Sequence, residues 1–177
     1  MTEITGRSKQ KIVQIVGFKN TGKTTLISKL IPIMNDLNYK AAVIKHDVHG
    51  FDSDVAGTDT YKLRQAGAVA TAITSPWRTA IIEERETSLQ SLIAYFHEYD
   101  LVIVEGFKQE DYPKLVLVTS AEDIKLISQL NQVIGIVYRG LDDRERNQLL
   151  TISSKKSLPL FEVNQSREIA GYIIDNL

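Results

Sequence analysis

Short apolar runs alternate with helix-length segments along almost the whole chain. Residues 11–16 (KIVQIV) form the first such run, which ends at Gly17. Residues 23–37 then place Leu26, Ile27, Leu30, Ile31, Met34 and Leu37 on one stripe, the spacing of an amphipathic helix. Pro32 within it lacks a backbone donor and predicts a kink. Residues 40–45 read as a second buried strand and residues 46–59 as a polar loop. A short helix follows over 60–66, capped by Thr58 or Asp59 and stopped by Gly67. Residues 69–74 and 78–83 flank Ser75-Pro76-Trp77 as two strands, expected to form an antiparallel hairpin. A helix over 87–98 turns Leu89, Leu92, Ile93 and Phe96 to one face. The run LVIV at 101–104 is apolar throughout, the pattern of a central strand covered on both sides. Beyond it come strands at 115–118, 133–137 and 159–161, a helical piece at 122–126 and a charged helix at 141–150. A closing helix over 166–177 takes Asn164 or Ser166 as its cap. Such alternation predicts an α/β fold: an open, mostly parallel sheet flanked by helices on both faces. Sheets of this kind bind ligands outside the carboxyl ends of their strands.

Length and composition narrow the class. With 177 residues, no internal repeat and no Pro/Gly/Ser linker, one domain over 1–177 is expected. Hydrophobic residues at 43% and charged residues at 24% are ordinary globular values, so disorder is not expected. Cysteine is absent, which excludes disulfides, thiolate metal sites and thiol catalysis. It also fits a reducing cytoplasm. The formal net charge of −1 offers no global basic field for nucleic acid. Any anion must therefore be held by a local site. No apolar run approaches the ~20 residues of a membrane span. The polar segment 1–11, with Arg7, Lys9 and Lys11, is not followed by a signal-peptide core.

A local anion site is legible. Gly17-Phe18-Lys19-Asn20-Thr21-Gly22-Lys23-Thr24 matches G-x-x-x-x-G-K-[ST], the Walker A pattern, between an apolar strand and an amphipathic helix. A triphosphate needs many donors at close range. Glycines let the backbone curl so that successive N–H groups point inward, and the following helix adds its positive end. Lys23 supplies a point charge for the β- and γ-phosphates, and the Thr24 hydroxyl is the expected Mg²⁺ ligand.

Magnesium prefers one or two further carboxylates. Two places offer them. Glu105 ends the run after LVIV, a Walker-B-like position with Glu where Asp is usual; the alternative is a carboxylate that only caps a loop. The loop from His46 to Asp59 also leaves a strand at its carboxyl end. There Asp47 is a candidate base or holder of metal-bound water. His46 and His49 with Asp52 or Asp54 are the weaker candidates for a transition metal, and a solvated acidic loop is the third reading. His97 reads as a surface residue. The Asn-Lys-x-Asp signature of many guanine-specific GTPases is absent, so pattern alone leaves guanine and adenine open.

Three segments in order, IVGFKNTGKTTL, AVIKHDVHGFDSDVAGTDTYKLRQAGA and DLVIVEGFK, resemble MobB, the molybdopterin-guanine dinucleotide biosynthesis protein B family. The resemblance covers roughly residues 11–120, and the stretch beyond carries no motif. It implies a P-loop NTPase fold, a homodimer, and GTP binding with Mg²⁺ and weak hydrolysis. It further implies a cytoplasmic accessory role to a MobA-type molybdopterin guanylyltransferase. By position, Gly17, Lys19, Asn20, Thr21, Gly22, Lys23, Thr24 and Thr25 hold the phosphates. Thr24, Asp47, Asp59 and Glu105 are the candidates for the metal, with Asp47 and Glu105 also candidates for the attacking water. Where the family commonly has Gly-Lys-Asp-Ser, this chain has Gly57-Thr58-Asp59-Thr60, so a lysine is lost and a hydroxyl kept.

Two other functions compete. A small-molecule kinase on the same fold is suggested by Arg139, Arg144 and Arg146, a possible lid over a phosphoryl group; the alternative is a solvated helix with local charge pairs. A nucleotide-responsive adaptor is suggested because no glutamine or in-cis arginine is clearly placed beside the γ-phosphate. Trp77, in its turn, reads either as an interface anchor or as a packed loop residue.

Overall fold

The computed structural model describes residues 9–177, so most of the N-terminal segment read for a signal sequence lies outside the described residues. The chain divides into two compact units, one of residues up to His46 with Ile93–Leu177 and one of Asp47–Leu92.

The larger unit holds a sheet of six strands: β1 (Lys11–Val16), β2 (Ala41–Lys45), β5 (Leu101–Glu105), β6 (Lys114–Val118), β7 (Val133–Tyr138) and β8 (Leu160–Glu162). Their order is β2-β5-β1-β6-β7-β8, and every pairing is parallel. β1 therefore lies between β5 and β6. The chain leaves β1 toward one edge and later returns past it to build the other. That reversal opens a crevice at the carboxyl end of β1. All five residues of β5 and of β6 are buried, as the LVIV pattern requires of strands covered on both faces.

Alternate residues of the strands feed two cores, because successive side chains point to opposite faces. On one face Val13, Ile15, Leu101, Ile103, Leu115, Leu117 and Val137 meet α1 (Lys23–Asp36) and α6 (Ser166–Asn176). Leu26, Ile27, Leu30 and Met34 form the buried stripe of α1. On the other face Val16, Val116, Val118, Ile136 and Tyr138 meet Ile124 and Leu126 of α4 (Ala121–Leu126) and Leu149 of α5 (Asp143–Lys156).

Three boundaries differ from the sequence reading. α5 runs beyond Leu150 to Lys156 although TISSKK carries little apolar pattern. It opens on a capping box between Asp142 and Glu145. It closes where Ser157 turns left-handed and the Leu158 N–H reaches the Ser153 carbonyl at 3.0 Å. α3 (Leu89–Tyr95) is shorter than 87–98. Neither Asn164 nor Ser166 caps α6; Gln165 takes that position, and its side-chain oxygen accepts from the Glu162 N–H at 2.7 Å.

The smaller unit contains α2 (Asp59–Gln65) and the hairpin of β3 (Ala70–Ser75) and β4 (Arg78–Glu83). The strands pair antiparallel from Ala70 opposite Glu83 to Ser75 opposite Arg78, as expected. Thr58 caps α2, its hydroxyl accepting from the Tyr61 N–H. Thr60, the retained hydroxyl, donates to Asp54 at 3.0 Å. Arg64 gathers Asp52, Asp54 and Glu84 within 3.3 Å, tying the loop and the hairpin to α2. Trp77 is 91% exposed at the hairpin turn, which rejects the packed-loop alternative.

Candidate functional site

The segment from Gly17 to Thr24 forms a curled loop between β1 and α1, at the crevice the topology opens. Two glycines are required by the geometry. A Cβ on Gly17 would lie 2.9 Å from the Leu117 carbonyl oxygen, a clash with backbone of the neighbouring strand. Gly22 is left-handed at φ 95 and serves as the N-cap of α1. Asn20 is also left-handed, at φ 64, a conformation asparagine tolerates better than most side chains. The buried Thr21 hydroxyl donates back to the Phe18 carbonyl at 3.0 Å and pins the curl.

The N-terminus of α1 has no side-chain cap and no acidic residue in its first turn. Its first N–H groups and positive dipole end therefore face the loop without a side-chain cap from the helix itself. Lys23 adds a full charge. Its ammonium donates to the Phe18 carbonyl at 2.7 Å and the Gly17 carbonyl at 3.3 Å. An ammonium has three donors, so this bracing still leaves one. Lys19 and Thr25 are exposed beside the same loop.

Glu105 comes to the loop as the sequence predicts. The Thr24 hydroxyl lies 2.9 Å from each of its carboxylate oxygens and donates to one of them. Lys45 at the end of β2 stands 3.8 Å from the same carboxylate, which is largely buried. The carboxylate of Glu105 is thus in direct contact with the Walker A threonine.

Burial holds Lys23 below the usual lysine range; Lys108 and Lys45 push the same way, while Glu105 and Asp123 oppose them. A bound polyanion favours the charged ammonium and would raise that value. Between the lowered free value and the raised bound one, binding takes up a proton. Affinity for a nucleoside triphosphate should therefore fall with rising pH on the alkaline side, well clear of the terminal phosphate's own step near pH ~6. Titration calorimetry in two buffers of different ionisation heat reads the proton directly. Proton release in that window, or affinity that climbs with pH, contradicts the placement of Lys23 on the phosphates.

The sequence reading missed the support behind Glu105. Gln14 of β1 is buried and donates to the carbonyls of Gly106 at 3.1 Å and Phe107 at 2.7 Å. Its own oxygen accepts from the ammonium of Lys114, which is buried at the start of β6, at 2.9 Å. Lys114 also donates to the Glu110 and Tyr112 carbonyls. Phe107 is left-handed and stacks on His46 at 4.2 Å, and Lys108 lies 4.4 Å over the Phe18 ring. The available signal was a polar residue inside each of two strands that should be wholly apolar, KIVQIV and KLVLV.

Asp47 and Asp59 lie in the smaller unit. Asp47 accepts from the His49 N–H at 2.9 Å in a local turn, and Asp59 pairs with Lys62 at 3.3 Å. The acidic loop is organised around Arg64 through Asp52 and Asp54. Among the described residues no group of three or more His, Asp or Glu side chains gathers as a metal site, so the transition-metal reading gains no support. His97 is exposed, as expected. Of the arginine trio, Arg139 stands against the phosphate loop, and Arg146 lies 5.9 Å over the Tyr138 ring. Among the described residues no helix is long and apolar enough to cross a membrane.

Comparison with known proteins gives a consistent result. Residues 12–139 match the model of the family described as molybdopterin guanine dinucleotide synthesis protein B, reaching Arg139, beyond the segments that carry the resemblance in sequence. A probable molybdopterin-guanine dinucleotide biosynthesis adapter protein of Bacillus subtilis is 32% identical over 145 residues, covering 80% of this chain and 83% of that protein. An Escherichia coli molybdopterin-guanine dinucleotide biosynthesis adapter protein is 38% identical over 118 residues, 63% of this chain and 67% of that protein. A crystal structure of Bacillus subtilis MobB superposes with a TM-score of 0.71 at 28% identity, covering 92% of this chain and 97% of that one.

Proposed function

The chain belongs to the family of molybdopterin guanine dinucleotide synthesis protein B, and from that premise we propose that it is a GTP-binding adapter in molybdopterin guanine dinucleotide formation. The observation that carries the nucleotide part is the loop itself. The start of α1 faces it with no side-chain cap, Lys23 is braced at its edge, and the Walker A threonine touches Glu105. The guanine part rests on family membership.

Thr24 and Glu105 supply hard oxygen ligands of the kind magnesium takes, and they stand together at the loop. They are the residues we assign to Mg²⁺. The ion, when bound, supplies charge that neutralises the phosphate oxygens. Asp47 and Asp59 are secondary candidates from the smaller unit. Glu105 has a second role as acceptor for a water beside the phosphates. Turnover is expected to be slow, as membership of this family suggests. The protein thus presents bound nucleotide, and its partner is a molybdopterin guanylyltransferase. We propose that it works as a homodimer, with the exposed Ile73, Trp77 and Ile81 of the hairpin available for contact.

Co-purification with a molybdopterin guanylyltransferase is the test, run with Mg·GTP, with Mg·ATP and without nucleotide, with light scattering giving the mass of the free protein. Retention that is strongest with GTP is the expected result. Equal retention in all three arms would reject nucleotide-dependent assembly. Tighter binding of ATP than GTP would reject the guanine assignment, and a monomeric mass would reject the dimer.

A further inference from the structure

Arg139 follows β7 directly and is positioned by main chain: its N–H reaches the Val118 carbonyl at 3.1 Å. Its guanidinium carbon lies 3.2 Å from the point where a Cβ on Gly22 would sit, so the missing side chain at Gly22 is what lets it approach. Its one hydrogen bond there, Nη2 to the Asn20 carbonyl, is 3.4 Å long, at the limit of such a bond. Among the described residues it makes no ion pair within 4.0 Å. A permanent cation has thus been brought against the positive end of a 14-residue helix that has neither acidic first turn nor side-chain cap. Lys23, of like sign, begins that helix. These three positive features repel one another, and the Glu105 carboxylate at Thr24 offsets them only from the Lys23 side of the loop. An anion in the loop would turn each of them attractive.

We propose that Arg139 is a nucleotide-contacting residue whose guanidinium binds the phosphate chain from the Asn20–Gly22 side of the loop, as a second cation beside Lys23. The proposal rests on the reading of the loop as a nucleoside triphosphate site. The guanidinium offers five donors in a planar fork that suits phosphate oxygens, and its charge does not titrate.

The test measures binding of Mg·GTP and of inorganic tripolyphosphate to the full chain and to R139A, R139Q and R139K. We expect R139A to weaken both ligands at least tenfold. R139Q keeps a donor for the Asn20 carbonyl but not the charge, and it should fail equally. R139K keeps the charge without the fork, and it should recover part of the loss. The fall in affinity with added salt should be shallower in R139A, and unfolding of the ligand-free variants should stay within a few degrees of wild type. Wild-type affinity in R139A overturns the proposal, and full recovery in R139Q reduces Arg139 to a brace for the loop. A loss for GTP with none for tripolyphosphate moves the contact to the nucleoside and overturns the phosphate assignment. If the wild-type chain binds neither ligand while remaining folded, the reading of the loop itself falls.

Discussion

Replacing Lys23 with alanine should weaken Mg·GTP binding about a hundredfold, or ~3 kcal/mol, at neutral pH. The size follows from what the ammonium does. In the free protein it is held over the loop by the Gly17 and Phe18 carbonyls, and one donor remains. Phosphate oxygens would receive a charge-assisted bond from a group already placed and already partly stripped of water, the strong end of the hydrogen-bond range. Stability should barely change, because removing a desolvated cation from beside the start of α1 relieves as much repulsion as it loses in hydrogen bonding. Arginine at the same position should not substitute, since the planar fork is longer and cannot occupy the same curl. Calorimetric titration with thermal unfolding as control gives both quantities. An affinity within threefold of wild type would show that the lysine does not face the phosphates.

How much of that site is legible in the sequence depends on how local each signal is. The loop is one continuous stretch with glycine, lysine and threonine at fixed spacing, and it was legible. Glu105 was nearly so, because a buried parallel strand must end at the crevice, and the first polar residue after LVIV is the one that emerges there. Arg139 stands in the sequence only as one of three arginines. Grouped with Arg144 and Arg146 as a lid, it lies against the phosphate loop, because β7 ends two strands from β1 in a parallel sheet whose carboxyl ends share one edge. That neighbourhood depends on strand order, which periodicity does not reveal. The α5 boundary failed for another reason. Its last two turns are held by a left-handed closure and by one side-chain bond at Ser153, with no apolar stripe to announce them.

The largest effect on stability should come from Lys114. Its ammonium is buried and donates to three neutral acceptors, the Gln14 side chain at 2.9 Å and the Glu110 and Tyr112 carbonyls at 2.6 and 2.9 Å. Lys114→Met keeps most of the volume and removes every donor. Three acceptors are then left without partners, which costs about 3 kcal/mol after the relief of an unfavourable buried charge. For a chain of this size that is a fall in melting temperature of roughly 6–12 °C. Gln14→Leu should be destabilising too, because it leaves the ammonium one acceptor short and frees the Gly106 and Phe107 carbonyls. The two losses should not add, since both variants break the same chain of bonds. Burial also lowers the lysine's proton affinity, against the opposing pull of Asp111 and Glu110. Below its folded value both states keep the proton, and the burial cost is fully present. Between that value and the unfolded one near ~10.4 the unfolded state holds more protons, so this residue's contribution to wild-type stability rises with pH. Lys114→Met lacks that rise. Denaturant unfolding of both singles and the double, repeated at neutral and alkaline pH, separates the claims. A methionine variant as stable as wild type would mean that the ammonium is a tolerated burden rather than the clamp on the 106–112 segment, and the placement of Glu105 would then need another support.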